Sequence, residues 1–225
     1  MHSSSYSNRS ENQNLLALFD HHLHSEFKHK VFQKNEFIYQ PESKNDCIYF
    51  IKKGRVKVGS QFDYDKKIIK DILKEGEFFG NISPIGLSSN LGFAMAMEET
   101  ELLIVPSTKM EILMQTYPEL TYLMMKSLSQ RLIQMEQRVE AIVFKDSRSR
   151  IIDFIKCFVK KYGKRVGYEI VIWKVLTHQE IANFTATSRQ TVTTVLNELR
   201  NKNILTFNRR RLLIRDYDLL DQEAA

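Results

Sequence analysis

The sequence has 225 residues, a mass of 26.5 kDa and a net charge of +6, with 43% hydrophobic and 27% charged residues. This composition is typical of a folded globular protein and argues against a long disordered or fibrous chain. No apolar run approaches the roughly 20 residues of a membrane helix, and the Ser- and Asn-rich start lacks the hydrophobic core of a secretory signal, so we expect a cytoplasmic protein with no membrane partner.

The positive charge lies in the last third of the sequence. Residues 1–144 carry 17 Lys and Arg against 18 Asp and Glu, whereas residues 145–225 carry 16 against 9. Such an asymmetry is expected when one part of a chain meets a polyanion, either nucleic acid or an anionic membrane surface.

The histidines and cysteines give weak support for metal or disulfide chemistry. The cluster His21-His22-Leu23-His24, with His29 nearby, offers imidazoles that can bind zinc, copper, iron or haem. It precedes the first clear strand, so we favour a solvated connecting helix and predict no metal site. Cys47 and Cys157 have no Cys or His neighbour at metal-ligand spacing, so we expect two reduced, packed side chains and no cofactor.

Glycine and proline divide the first part of the chain into short segments. Six of the eight glycines lie between Gly54 and Gly92, and all four prolines precede residue 119. Short strands at turn-punctuated intervals predict an antiparallel roll or sandwich over residues 12–116. The segments with strand character are residues 47–51, 55–58, 68–73, 93–97 and 102–105.

A long helix is predicted over residues 117–144. Pro118 suits a first helical turn, and no Gly or Pro follows it before Gly163. Apolar residues recur there at alternating spacings of three and four, which is the seam of a coiled coil and predicts pairing with a second copy of the chain. The alternative is a helix that packs on its own domain. The seam consists of Met125, Leu128, Leu132, Met135, Val139 and Ile142.

A second domain is predicted over residues 145–220. Asp146 is a good N-cap for a helix over residues 147–162, and Gly163 supplies its stop. Two helices therefore meet at Lys145 and Asp146, which makes this pair a candidate hinge.

Residues 176–199 predict a helix, a tight turn and a second helix. Thr177 can cap the first helix, and either Thr187 or Ser188 the second. The outward face of the second helix is polar and nearly uncharged, which suits a reader of the DNA major groove because Arg can bind guanine and Gln can bind adenine. An ordinary helical hairpin is the alternative.

The segment over residues 204–215 predicts a wing, with two short apolar strands around a turn that holds three arginines. Arginines at such a tip can neutralise phosphates or enter the minor groove, whereas the alternative is a solvated turn. The predicted DNA-contacting residues of the helix pair and wing are Thr177, His178, Thr187, Ser188, Arg189, Gln190, Thr193, Thr194, Arg209, Arg210 and Arg211.

Several of these motifs together resemble the cAMP receptor protein/FNR (Crp/Fnr) family of bacterial transcription regulators. Residues 48–58 (IYFIKKGRVKV) and 76–80 (GEFFG), the long helix, the helix pair and the wing follow the family's order over roughly residues 30–215. The resemblance implies an α+β fold with an N-terminal cyclic-nucleotide-binding-like antiparallel β-roll (jelly roll), a long dimerisation helix and a C-terminal winged helix-turn-helix.

The resemblance also implies roles for particular residues. Phe144, Lys145 and Asp146 correspond to the family's hinge, and Arg189 and Gln190 stand where the family reads bases. Many members carry Glu at the position of Gln190, so the preferred DNA site is expected to differ. The implied partners are double-stranded DNA, a second copy of the chain and RNA polymerase.

The ligand pocket departs from the cAMP-binding pattern of the family. Gly80 is followed by Asn81 rather than Glu, and no basic residue occurs from Phe78 to Met97, so a bound cyclic phosphate would lack its usual charged partner. The family's N-terminal cysteine cluster for an iron–sulfur centre is also missing. The candidate effector pocket, for an unknown effector, consists of Gly80, Asn81, Ile82, Ser83, Gly92, Phe93 and Ala94.

The sequence thus predicts a homodimeric transcription regulator that reads a near-palindromic DNA site and is not controlled by cAMP in the usual mode. The alternative is a small-molecule or cyclic-nucleotide binding module whose basic C-terminal domain docks a protein or an anionic surface. An enzyme built on a cupin-like roll is not expected, because no His lies between residues 30 and 177 to supply metal ligands.

Overall fold

The computed structural model describes residues 27–43, 45–61, 67–81, 92–173, 176–208 and 211–223. The chain forms two compact units, one ending at Leu132 and the other beginning at Ile133. The predicted histidine cluster at residues 21–24 lies outside the described residues.

The first unit contains two antiparallel four-stranded sheets, which confirms the predicted roll. The strand orders are β1-β8-β3-β6 and β2-β7-β4-β5. The strands are β1 (Lys28–Phe32), β2 (Phe37–Tyr39), β3 (Cys47–Lys53), β4 (Arg55–Gln61), β5 (Lys67–Lys74), β6 (Phe78–Gly80), β7 (Gly92–Ala96) and β8 (Thr100–Pro106).

Strand β3 shows why this part of the sequence is so apolar. Successive side chains of a strand point to opposite faces. Tyr49 and Ile51 pack in the cluster between the two sheets, whereas Ile48 and Phe50 pack in a second cluster with residues of two helices. Both faces of β3 are therefore buried, so its apolar residues form an unbroken run instead of alternating with polar ones.

Two helices follow the roll. They are α1 (Ser107–Thr116) and α2 (Pro118–Phe144). Leu120 and Met124 are buried against the roll near the start of α2. At about 1.5 Å per residue, the 27 residues of α2 extend over about 40 Å, as the sequence predicted.

The second unit has a four-stranded antiparallel sheet of order β11-β12-β10-β9, on which α3 and α5 pack, and α4 packs on these two helices. Helix α3 buries six apolar residues that recur at helical spacing, which are Ile151, Ile152, Phe154, Ile155, Phe158 and Val159. The elements are α3 (Ser147–Tyr162), β9 (Lys164–Val166), β10 (Glu169–Trp173), α4 (His178–Thr185), α5 (Arg189–Asn201), β11 (Leu205–Phe207), β12 (Arg211–Ile214) and a final short helix, α6 (Tyr217–Gln222).

One expectation about α3 needs correction. Cys157 is exposed rather than packed, because it falls on the side of α3 away from the buried apolar stripe. Gly163 ends the helix, as predicted, with φ of −68°. A Cβ at Gly163 would lie 2.5 Å from the carbonyl oxygen of Val159 and 2.6 Å from a methyl group of Ile170, so close packing requires the glycine.

Among the described residues, the helices are too short or too polar to cross a membrane. The same residues contain no group of three or more His, Cys, Asp or Glu side chains that could hold a metal ion.

Candidate nucleic-acid interface

Helix α4 begins with a reciprocal capping box. The Thr177 hydroxyl accepts a hydrogen bond from the backbone N–H of Glu180 at 3.1 Å, and the Glu180 carboxylate accepts one from the backbone N–H of Thr177 at 2.9 Å. These two bonds satisfy N–H groups that a helix start leaves unpaired. Thr177 therefore has a structural role as the N-cap, as its sequence position predicts.

The turn between α4 and α5 has an unusual residue at its centre. Ala186 adopts the left-handed conformation, with φ of 52° and ψ of 48°, and Thr187 donates its backbone N–H back to the carbonyl oxygen of Ala182 at 3.1 Å. Glycine is the common residue at such a helix end because it has no Cβ to strain the backbone. The turn is tight, and it delivers the chain directly to Ser188.

Two arginines bind the carbonyl groups at the end of α4. Arg150 of α3 donates to the carbonyl oxygens of Thr185 at 3.1 Å and Ala186 at 3.2 Å. Arg138, near the end of α2, donates to the carbonyl oxygen of Phe184, and its guanidinium lies 4.1 Å from the centre of the Phe184 ring. The C-terminal end of a helix carries partial negative charge, so both contacts are electrostatically favourable.

Helix α5 is capped at its first turn and buried along one face. The Ser188 hydroxyl accepts a hydrogen bond from the backbone N–H of Thr191 at 3.0 Å. Ser188 rather than Thr187 is therefore the N-cap. The buried residues of α5 are Val192, Val195, Leu196 and Leu199.

The polar residues of α5 divide into two groups. Arg189, Gln190 and Thr194 are exposed. Thr193 is half-buried, and its hydroxyl donates to the carbonyl oxygen of Arg189 at 2.9 Å and lies 2.8 Å from Nδ1 of His178. Thr193 thus fixes the position of neighbouring groups, whereas the first three side chains are presented outward.

His178 occupies the inner side of the helix pair. Its ring meets the Phe207 ring of the wing edge to face, with centroids 5.4 Å apart. Burial, and then the positive charge of Arg189, lower the pKa of His178 below its ordinary value. His178 is therefore neutral at pH 7 and is poorly suited to a charged contact with phosphate.

The wing is a hairpin of β11 and β12 that is closed by Asn208. The Asn208 side-chain oxygen accepts from the backbone N–H of Arg211 at 2.9 Å, and the backbone N–H of Asn208 donates to the Arg211 carbonyl at 3.0 Å. Arg211 is exposed at the start of β12. Arg209 and Arg210 lie outside the described residues.

Part of the basic excess of this unit is paired with carboxylates. Glu223 binds Arg148 and also Lys202, whose Nζ lies 2.5 Å from the carboxylate, and Asp221 binds Lys156. The hydrogen bond from Lys202, followed by that from Arg148, lowers the pKa of Glu223 below its ordinary value. The raw charge of the segment therefore overstates how much positive charge faces a polyanion.

Comparisons with known proteins decide what this architecture is. The cyclic nucleotide-binding domain model matches residues 29–117, and the Crp-like helix-turn-helix domain model matches residues 149–223. The chain belongs to the Crp/Fnr family. Members of this family are transcription regulators rather than enzymes, and the helix-turn-helix is a DNA-binding domain. The family and fold predicted from the sequence are both confirmed.

Relatives of this Crp/Fnr regulator cover most of its length. The Global nitrogen regulator of Nostoc sp. is 29% identical over 187 residues, which are 82% of this chain and 84% of the relative. The Global nitrogen regulator of Synechocystis sp. is 28% identical over 196 residues, 86% and 87% of the two chains. A CooA mutant from Carboxydothermus hydrogenoformans has a similar structure, with a TM-score of 0.80, 27% identity and coverage of 94% and 95%.

The residues of the candidate effector pocket belong to different sheets of the Crp/Fnr roll. Gly80 ends β6 with φ of 109°, and a Cβ there would lie 2.3 Å from the carbonyl oxygen of Cys47. Asn81 donates its N–H to that carbonyl at 3.0 Å. Phe93 and Ala94 lie in β7 and are buried in the roll, and Gly92 begins that strand. Ile82 and Ser83 lie outside the described residues.

A basic residue that the sequence reasoning missed reaches β6 from α2. The Arg131 guanidinium donates to the carbonyl oxygen of Phe78 at 2.5 Å, lies 5.0 Å from the centre of the Phe78 ring and is 3.9 Å from the Asp71 carboxylate. The stretch from Phe78 to Met97 lacks basic residues, yet its first strand has this guanidinium as a neighbour. Local sequence contains no signal of this contact, because 53 positions separate the two residues.

Helix α2 exposes most of its predicted seam. Leu128 is partly buried and packs on the core of the first unit, whereas the remaining members of the seam are exposed. Phe144, the last residue of α2, is 83% exposed. The other exposed apolar residues on this part of α2 are Met125, Leu132, Ile133, Met135, Val139, Ile142 and Val143.

The candidate hinge is short. Only Lys145 and Asp146 separate α2 from α3. Asp146 accepts from the backbone N–H of Ser149 at 2.7 Å, as predicted for an N-cap, and Lys145 contacts Asp153 at 2.5 Å.

Proposed function

We propose that this Crp/Fnr regulator is a homodimer that reads a near-palindromic DNA site through α5 and the wing. The observation that carries the proposal is the exposed trio Arg189, Gln190 and Thr194 on a helix whose start is capped by Ser188. A capped, packed helix holds its outward side chains in fixed directions, which base recognition requires.

Each exposed side chain of α5 has a matching base edge. Arg189 is suited to the O6 and N7 acceptors of guanine, Gln190 to the N6 and N7 atoms of adenine, and the methyl group of Thr194 to the methyl group of thymine. Arg211 supplies positive charge for a phosphate. The capping and turn residues, Thr177, Thr187 and Ser188, contribute by holding the backbone of the motif in place.

Dimerisation is supported by the exposed apolar row of α2. A row of this kind is costly to leave in water and is typical of an interface. Pairing two such helices in parallel would place two reading helices in successive major grooves, about 34–36 Å apart along DNA, and would explain a palindromic target.

We further propose that the roll of residues 12–116, the helix of residues 117–144 and the DNA-binding domain of residues 145–220 act as sensor, dimer contact and reader. The absence of an Arg in the segment around Gly92 argues against control by cAMP in the usual mode. RNA polymerase is the expected protein partner of a regulator bound beside a promoter.

Selection from random duplexes, followed by sequencing, tests the proposal directly. We expect an enriched palindrome, and we expect Arg189→Ala to weaken binding to that site by about 1–3 kcal/mol while relaxing the preference at one base position. Arg165→Ala, at an exposed residue of β9, removes the same charge and serves as the control.

The wing has a different expected signature. Arg211→Ala should weaken binding to every sequence and reduce the slope of log affinity against log salt by about 0.9. Failure to enrich any sequence, together with binding to anionic vesicles, would instead support the alternative of a docking module.

A further inference from the structure

The second unit contains a cavity of about 540 Å³ beneath the wing. Its walls come from α3, α4, α5 and both wing strands, and its described lining residues all belong to the second unit. Small-molecule sites commonly enclose about 300–1,000 Å³ and are mostly apolar with a few polar groups. This cavity has that character, since its described lining consists of Phe154, Phe158 and Phe207, aliphatic residues and three polar residues.

We propose that this cavity binds a small, uncharged aromatic compound that carries one N–H or O–H donor. The proposal goes beyond the DNA-binding function and assigns a second ligand site to the reading domain itself.

The aromatic part of the proposal rests on the rings of the walls. Phe154 and Phe158 stack with centroids 5.5 Å apart, and Phe207 stands on the wing side of the same cavity. Aromatic rings attract one another at centroid distances of about 4.5–7 Å, so a planar ligand gains more from these walls than an aliphatic ligand of equal size.

The preference for an uncharged ligand follows from the side chains that line the cavity. Among the described residues that line the cavity, none carries a charge at pH 7, and His178 is the one that can titrate. Burying an ion without a partner is costly, so this lining selects neutral compounds.

The donor follows from the hydrogen bonds of His178. The single proton of the Thr193 hydroxyl is used at the carbonyl oxygen of Arg189, at 2.9 Å. Thr193 must then accept from His178, so the neutral imidazole carries its proton on Nδ1, 2.8 Å from the hydroxyl oxygen. The other ring nitrogen, Nε2, is left as an acceptor, and a ligand N–H or O–H is its complement.

The position of the cavity links it to DNA reading. His178 touches both Thr193 of α5 and Phe207 of the wing, so a ligand beside it contacts the two elements that carry the candidate DNA contacts.

A pair of isosteric probes tests the proposal. Indole and benzofuran have nearly the same shape, but only indole has an N–H donor. They are titrated into the full-length protein labelled at Ile and Leu methyl groups, and binding is followed by NMR. We expect saturable shifts at Ile155, Ile181 and Leu212, with indole bound about three- to tenfold more tightly than benzofuran.

Two variants distinguish binding in this cavity from nonspecific hydrophobic binding. His178→Leu should remove the advantage of indole while leaving benzofuran affinity within about twofold, because only the acceptor is lost. Leu212→Phe fills part of the cavity and should weaken both probes. Circular dichroism shows whether each variant is folded. If a variant does not fold, the affinities of indole and benzofuran for the unaltered protein still test the proposal.

Three results would overturn the proposal. These are the lack of any saturable shift at the cavity methyl groups, shifts confined to the roll, and equal affinities of indole and benzofuran for the unaltered protein.

Discussion

The guanidinium of Arg150, on α3, lies 3.2 Å from the carbonyl oxygen of Ala186, the left-handed residue between α4 and α5. The same side chain donates to the carbonyl oxygen of Lys145 at 2.8 Å. One arginine therefore connects the candidate hinge to the turn of the helix-turn-helix. The planar fork of a guanidinium makes this possible, since an ammonium group could not serve carbonyls in several fixed directions.

Arg150→Lys keeps the positive charge but removes the planar guanidinium group. We expect it to lower the free energy of unfolding by about 1–3 kcal/mol, because hydrogen bonds from a charged donor are lost, one of them at the partly buried carbonyl of Thr185. Trp173, the single tryptophan, lies in the second unit, so its fluorescence in a urea titration reports on that unit. Arg165→Lys at an exposed position is the control, and equal effects of the two changes would contradict the assigned role.

Ala186→Gly should stabilise the second unit. A residue with a Cβ costs about 1–2 kcal/mol in the left-handed conformation, and glycine removes that cost. Glycine also loses about 0.5–1 kcal/mol more conformational entropy on folding than alanine does, so we expect the free energy of unfolding to rise by about 0.5–1 kcal/mol. Ala141→Gly, within α2, is the matched control and should lower stability by about 1 kcal/mol. A loss at both positions would mean that Ala186 is not left-handed in solution.

Thr193→Val and Thr194→Val form a matched pair on α5. The two changes have the same effect on helix propensity, but only Thr193 contacts His178 and the carbonyl oxygen of Arg189. We expect Thr193→Val to lower the free energy of unfolding by about 1 kcal/mol and Thr194→Val to change it by less than about 0.5 kcal/mol. Thermal unfolding followed by circular dichroism measures the loss of stability in each variant, and a larger loss for Thr194→Val than for Thr193→Val would contradict the prediction.

The stability of the second unit should fall in acid partly through Glu223. Its pKa is lower in the folded state than in the unfolded chain, so the contribution of this carboxylate is present at neutral pH and is lost as the pH falls. We expect the difference between the unaltered protein and Glu223→Gln to be largest near pH 7 and to shrink below about pH 4.3, the ordinary value for Glu. Urea titrations at several pH values measure it.

Lys202→Gln supplies the control for the acid effect. This change removes the Lys202 hydrogen bond, which is one cause of the lowered pKa of Glu223. In the Lys202→Gln protein, Glu223→Gln should therefore lower the free energy of unfolding by a smaller amount at pH 7. An undiminished effect would show that the Lys202 contact does not act on this carboxylate.

Val139→Glu should separate the proposed dimer. Val139 is 62% exposed on the apolar row, and a charge there would be buried without a partner on pairing. We expect sedimentation to show monomers and DNA affinity to fall by at least about tenfold through the loss of the second half-site. Ile112→Glu, at an equally exposed residue of α1, should leave the dimer intact, and a dimer that survives Val139→Glu would point to a different interface.

Local chemistry explains which parts of the fold were predictable. Asp146, Thr177 and Ser188 cap helices through hydrogen bonds to residues three positions later, so the capping role of each can be inferred from the few residues that follow it in the sequence. The buried face of α5 and the long run of α2 follow in the same way from helical periodicity.

Elements whose stability depends on neighbours were not predicted. Strand β1, with the sequence KHKVF, exposes four of its five residues and exists because β8 pairs with it. Strand β9 is three exposed residues held by β10, and α1 lies inside the range assigned to the roll. Neither of the two strands has a periodic apolar pattern of its own, because a strand elsewhere in the chain supplies its hydrogen bonds.

The sequence by itself determined the family, the order of roll, long helix and winged motif, and the positions of the helix caps, because these depend on composition, periodicity and side-chain chemistry within a few residues. Only the tertiary structure decided that Arg150 holds the turn at Ala186, that Arg131 reaches Phe78 and that His178 is engaged by Thr193 beside a cavity. Such contacts join residues that folding alone brings together, and they divide similar polar side chains into those that hold the motif and those left exposed.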